Sequence, residues 1–191
     1  MPPKIREESS PSKEGKSAVV SFIPDSENIS LNTGNCIHEI FENISWIDDG
    51  SDTDYLVDNI SLKKYFADKI MTESKLKVKT ALKNAEIRRI LSCPESPNVT
   101  LWREKEFSLF IDGTLKKGRF DRVTIEKNAG NNIFKVSILD FKYEELVDID
   151  IIKERYSPQM NAYKDALACI LKISAKNIET KLLLINRIAI L

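Results

Sequence analysis

The chain has 191 residues, 42% of them hydrophobic, and its 29 Lys and Arg balance 29 Asp and Glu, giving a formal net charge of zero. That length and apolar content suit one domain with a sizeable core, while neutrality disfavours a free-standing nucleic-acid binder held by bulk charge, without excluding one whose basic residues cluster. A polar, charged N-terminus and no apolar run of spanning length leave no expectation of a signal peptide or a membrane partner.

Residues 1–28 are rich in Pro, Ser, Lys and Glu and read as a flexible tail or linker, with the folded domain at 29–191. In Gly34-Asn35-Cys36-Ile37-His38-Glu39-Ile40-Phe41-Glu42-Asn43-Ile44, the residues Ile37, Ile40, Phe41 and Ile44 follow i, i+3, i+4, i+7 spacing. A first helix is expected near 35–47. His38, the only histidine, sits beside that stripe. A lone helical histidine is more often structural or exposed, yet a neutral imidazole is also a good metal ligand. An acidic loop, Asp48 to Asp54, leads to a second helix near 54–71 and a third near 75–92, stopped before Cys93-Pro94. Lys75, Lys77, Lys79, Lys83, Arg88 and Arg89 make the densest basic stretch. A solvated helix face is its simplest reading and a phosphate-tracking patch the alternative.

Strands follow near 99–111, 118–127 and 133–143, turning at Asp112-Gly113 and at Asn128 to Asn132. A long helix is expected near 157–172, with Ser157 as N-cap and Pro158 in its first turn, and a last strand over 181–190. Three antiparallel strands, a crossover helix and a final strand make an α/β (α+β) domain: a central mixed β-sheet flanked by helices, with an N-terminal helical segment.

Charge placement in these strands carries the chemistry. Asp140 and Lys142 end a run rich in β-branched and aromatic residues and, two apart, share one face. Read alone, the triplet is a salt bridge, and Asp121 pairs with Arg119 or Arg122. Two acids on neighbouring strands can also hold a hard divalent cation, with a lysine beside it to stabilise developing negative charge. Downstream, Tyr156, Gln159 and Tyr163 are spaced three and four apart and share one side of a helix. Read alone, Tyr163 is core and Gln159 surface.

The motifs run in order: Gly34 and His38; Glu104 and Phe107; Gly118, Asp121, Arg122 and Val123; Asp140, Phe141 and Lys142; Tyr156, Gln159, Met160 and Tyr163. In that order they resemble the RecB/AddA-type nuclease domain of the PD-(D/E)xK superfamily, which ends bacterial UvrD/Rep-family helicase–nucleases. The resemblance covers roughly residues 30–185. It departs from the family before His38, where Leu-Asn-Thr-Gly-Asn-Cys-Ile stands in place of the usual Arg-Gly. It implies a restriction-endonuclease-like core and a metal-dependent DNA nuclease, an exonuclease by analogy, acting in double-strand-break repair and recombination. It further implies His38, Asp121 and Asp140 as metal ligands, Asp121, Asp140 and Lys142 as the catalytic set, and Mg²⁺, or Mn²⁺, as cofactor. Gln159, Tyr163, Tyr156 and Glu104 would line the site or contact DNA.

No Gly-x-x-x-x-Gly-Lys-Ser/Thr loop occurs, so the implied helicase belongs to a longer parent chain or a partner subunit that feeds single strands or duplex ends. Cys36, Cys93 and Cys169 are scattered and odd in number, which suits free thiols in a reducing cytoplasm, a bacterial one as the resemblance implies, and leaves no expectation of the four-cysteine iron–sulfur cluster of some relatives. No Gly-x-Ser-x-Gly elbow is present, and a helix points Cys36 away from His38. Two alternatives stay open: a catalytically silent relative that binds DNA or a partner, and a stand-alone phage-type exonuclease.

Overall fold

A computed structural model of the chain describes residues 25–191 except Asp112 and residues 145–147, so residues 1–24 of the expected tail lie outside the described residues. The first helix, α1 (Asp25–Asn43), begins well before the expected residue 35 and runs through Gly34. A helical glycine costs only about 1 kcal/mol. Burial of Thr33, Cys36, Ile37, Ile40 and Phe41 outweighs it. The helix ends where the Asn43 side chain donates back to the Glu39 carbonyl at 2.7 Å. Ile44 and Ile47, placed in the expected helix, are buried in irregular chain beyond it.

The expected second and third helices are divided differently. α2 (Thr53–Asp58) is capped by Asp52, whose carboxylate accepts from the amides of Asp54 and Tyr55. It stops there because the chain beyond is held otherwise: the main-chain amides of Lys63 and Lys64 both donate to the Glu39 carboxylate on α1. α3 (Asp68–Leu82) follows. Asn84 then starts α4 (Ala85–Leu91) by accepting from Glu86 and Ile87 at 2.9 and 3.1 Å. A side chain that bonds its own backbone in this way competes with continued helix.

β1 (Asn98–Ile111) and β2 (Thr114–Lys127) form a long antiparallel hairpin, with Gly113 at φ 75 in its turn. β3 (Ile133–Lys142) pairs antiparallel with β2. The helix α5 (Ile149–Leu171) crosses over to β4 (Ile178–Leu184), which lies parallel to β3. α5 begins eight residues earlier than expected, capped by the Asp148 carboxylate. Pro158 is therefore interior, and Ser157 is no cap: its hydroxyl donates to the Lys153 carbonyl at 2.6 Å. The expected last strand is two, since the chain turns after Leu184 and returns as β5 (Ala189–Ile190), with Ile188 at φ 52. The result is a mixed sheet in the order β1-β2-β3-β4-β5.

Helices cover both faces of that sheet. α1, α3 and α4 pack on one side with Leu139, Phe141, Leu183 and Ile185. α5 packs on the other through Met160, Ala166 and Leu167 against Val136, Ile138, Ile178 and Leu182. Burial of these side chains drives the assembly. Among the described residues no helix is long and apolar enough to cross a membrane.

Candidate functional site

The regular alternation of the β1–β2 hairpin fails at Glu104 and Asp121. Glu104 and Asp121 stand opposite each other between the pairs Arg103–Arg122 and Lys105–Phe120. Glu104 takes φ 49, an uncommon conformation for a residue with a Cβ. On β1, Trp102 and Phe107 are an odd number of residues apart yet join the same core cluster, as do Phe120 and Val123 on β2. The strands thus exchange faces around this pair. The β2–β3 ladder also stops here: its last pair is Arg122–Leu139, and the Phe141 amide donates to Asp121 Oδ2 at 2.9 Å.

α1 brings His38 to this break. Its Nδ1 lies 3.4 Å from Asp121 Oδ2, and its ring meets Phe141 edge-on at 6.0 Å between centroids. His38, Glu104 and Asp121 each offer a ligand atom, all within 4.8 Å of one another. They line a cleft of ≈ 160 Å³ shared with Asn35, Glu39, Glu42, Lys64 and Arg119. Arg119 pairs with Glu104 at 2.6 Å, so neither arginine beside Asp121 takes the role expected of it. Arg122 instead turns to the chain just beyond α1, donating to the carbonyls of Ile44 and Ser45 and lying over the Trp46 ring.

Asp140 lies outside this tight group. It occupies the next position on β3 after the last ladder pair and is only 1% exposed. Its Oδ2 is 2.6 Å from Lys142 Nζ, the pairing expected of the triplet by itself. From α5, Gln159 Nε2 donates to Tyr163 Oη at 2.9 Å and approaches Asp140 Oδ1 at 3.5 Å. Lys142 Nζ sits 5.0 Å from the Tyr156 ring centroid, and the Tyr156 hydroxyl donates to Glu144. Tyr163 is half-buried against Phe107 and Phe120. Gly118 permits that stack: a Cβ there would meet the Phe107 ring at 2.6 Å and Tyr163 at 3.4 Å.

The electrostatics follow from burial. Desolvation, reinforced by the charge of Lys142, pushes His38 from 6.5 down to about 4. The 3.4 Å contact with Asp121 is therefore one of a neutral imidazole, the form that ligates metals. Desolvation and then the charge of Asp121 raise Glu104 to about 7, against the pull of Arg119. Asp121 is raised by burial and held back by the Phe141 amide; Asp140 is raised by burial and by Asp121, against Lys142. Carboxylates facing one another with raised pKa values, beside a neutral imidazole, form an oxygen-rich donor set whose charge Arg119 and Lys142 offset only in part. That set fits a hard divalent cation such as Mg²⁺ or Mn²⁺.

Sequence reasoning named His38, Asp121, Asp140, Lys142, Gln159, Tyr163, Tyr156 and Glu104, and all eight gather around the end of β3. It named Asp140 as a ligand, whereas Glu104 completes the closest set. It named Arg119 only as a partner for Asp121 and did not single out Glu39; their positions depend on the β1–β2 register and on the loop after α2. The basic stretch is largely occupied by protein. Lys75 reaches the Asp58 carbonyl, Lys77 pairs with Glu73, Lys79 with Asp58, and Arg88 reaches the carbonyls of Asp48 and Asp49. Among known proteins, no family model and no curated sequence matches the chain.

Proposed function

We propose that this chain is a metal-dependent deoxyribonuclease domain of PD-(D/E)xK type, similar to the nuclease domains of RecB/AddA helicase–nucleases. The observation that carries the reading is the gathering of His38, Glu104 and Asp121 at the break in the sheet, with the Asp140–Lys142 pair on the adjoining strand end.

His38, Glu104 and Asp121 would hold the cation, with Asp140 beside them. When bound, it supplies an acidified water and offsets charge on the phosphoryl oxygens. Lys142 would place its side-chain nitrogen where negative charge grows during attack, held by Asp140 at 2.6 Å. Gln159, tied to Tyr163 on a rigid aromatic stack, presents an amide to the same space and orients a strand end. Arg119 gives the cleft a further phosphate-binding cation. The substrate would be DNA, as single strands or duplex ends, delivered by a helicase in the parent chain or a partner.

The test is cleavage of linear and circular DNA with Mg²⁺, Mn²⁺ or EDTA, by the wild type and by Asp121→Asn. Metal-dependent degradation of linear DNA, lost in the variant, supports the reading. Tight DNA binding without cleavage under any metal would favour a catalytically silent binding domain. Cleavage that persists in EDTA or in Asp121→Asn would end the metal-centre assignment.

A further inference from the structure

On the face of the sheet packed by α1, α3 and α4, the floor changes character along the strands. One end is apolar, at Leu139, Phe141, Leu183 and Ile185. At the other, cross-strand rows place Thr124 beside Ser137 and Glu179, and Glu126 beside Lys135. A cleft of ≈ 280 Å³ opens over this polar floor, roofed by Arg89, Ser92 and Cys93, with Arg122 at its inner end.

The charges in this cleft do not balance. Lys135 pairs with Glu126 at 3.1 Å, and Lys181 with Glu179 at 3.1 Å; Ser96 also donates to Glu126 at 2.5 Å. Both acids are thereby used. Arg122 is 2% exposed, and its two terminal nitrogens donate to neutral main-chain carbonyls. Among the described residues its Nε has no partner. Among the described residues no carboxylate is paired with Arg122 or Arg89. A buried guanidinium without a counter-ion is costly, and an unmade hydrogen bond on it adds to that cost.

We propose that this cleft is a binding site for a small phosphomonoester, separate from the metal cleft. Two uncompensated arginines match a phosphate dianion, and Nε–H together with the hydroxyls of Thr124 and Ser137 offers donors to its tetrahedral oxygens. The volume exceeds what a bare phosphate fills. It lies near the lower end of the range for small-molecule sites, roughly 300–1,000 Å³. Arg122 follows Asp121 in the chain and secures the chain just beyond α1, so an occupant would bear on the scaffold of the metal cleft from behind.

The test is thermal denaturation and calorimetric titration of the full chain in EDTA, with inorganic phosphate and with a deoxynucleoside 5′-monophosphate, against chloride at equal ionic strength. The expected result is saturable binding with a Kd of about 1 mM or tighter. Tighter binding of the ester assigns the extra volume to its organic part, and equal binding assigns the site to the phosphate group alone. Ser137→Asp places a carboxylate in the cleft and should abolish the response while the protein still melts cooperatively. Arg89→Ala, at the end of a short surface helix, should weaken binding about tenfold or more, the scale of one charge-assisted hydrogen bond. Asp140→Asn should bind as the wild type does. A non-saturable shift, an unchanged response in Ser137→Asp and Arg89→Ala, or loss in Asp140→Asn would overturn the proposal.

Discussion

Glu104 and Asp121 face each other across β1 and β2 at the point where Glu104 adopts φ 49. Two like charges directly opposite in a sheet destabilise it, and a left-handed backbone at a residue with a Cβ adds strain. The two costs coincide at one site, the arrangement expected where a cation is to be held.

Glu104→Gln should therefore raise thermal stability in EDTA at pH 8, even though it gives up the Arg119 pair. The same change should weaken Mn²⁺ binding at least about tenfold, by comparison with the loss of groups that merely support a ligand. Melting curves and metal titration check both effects. A variant that is less stable without metal, yet binds metal normally, would mark Glu104 as a structural ion-pair residue.

Lys142→Met and Asp140→Asn should separate catalysis from packing. Lys142→Met leaves Asp140 buried without its partner, a loss of about 3 kcal/mol at pH 8 that shrinks at pH 5 as the acid takes up a proton. Turnover should fall about a hundredfold or more, the scale of losing one electrostatic stabiliser. The double variant should recover most of the stability and none of the activity. Recovery of both would return the pair to a simple salt bridge.

The metal-free protein should be less stable at pH 8 than at pH 5. An acid with a raised folded-state pKa stabilises the fold below its ordinary pKa, and that contribution is lost as pH rises to the raised value. For Glu104 the window runs from 4.5 to about 7, and Asp121 and Asp140, both raised from 3.8, add to the fall. His38 acts oppositely, because its descent from 6.5 to about 4 makes the fold gain stability as pH rises through that interval. Three acids against one imidazole leave a net decline. Melting temperature against pH in EDTA should show it, and saturating Mn²⁺ should flatten or reverse it.

Gly118→Ala should cost about 1–3 kcal/mol, the usual scale of overpacking, because the new Cβ drives into the Phe107 ring. Displacing Phe107 also moves Tyr163 and its partner Gln159. Turnover should fall while metal affinity stays unchanged, a split that kinetics and metal titration resolve.

The isolated chain should bind DNA weakly. Lys75, Lys77, Lys79 and Arg88 are already engaged with protein groups, so few phosphates can be neutralised by that stretch. Each neutralised phosphate adds about 0.9 to the log–log salt slope, and a shallow slope is expected. Tight binding with a steep slope, joined to processive degradation, would point to a stand-alone nuclease.

The strands were legible because their residues declare them: β3 carries β-branched and aromatic side chains between an asparagine turn and Asp140. The helical stripe of Ile37, Ile40, Phe41 and Ile44 was legible for the same reason. The helix ends were not. Asn84 caps α4 inside a segment of good helix formers, and the loop before α3 is fixed by Glu39, a contact some two dozen residues away in the chain. Pro158 misled because a proline favours a helix start yet here sits beyond one set by Asp148. In the site, the Asp140–Lys142 spacing could be read directly. The partnership of Glu104 with His38 could not, since it depends on hairpin register and on an irregular backbone angle.

The Phe141 amide is hydrogen-bonded to the Asp121 carboxylate and has left the β2–β3 ladder beside the His38–Glu104–Asp121 cleft. Its proton is thus shielded by a side chain, and by one that can change charge. Whatever alters Asp121, whether protonation, a bound cation or replacement by asparagine, alters the field at that single N–H. Its resonance and its exchange rate with solvent become a built-in gauge of the site, readable without substrate and without cleavage.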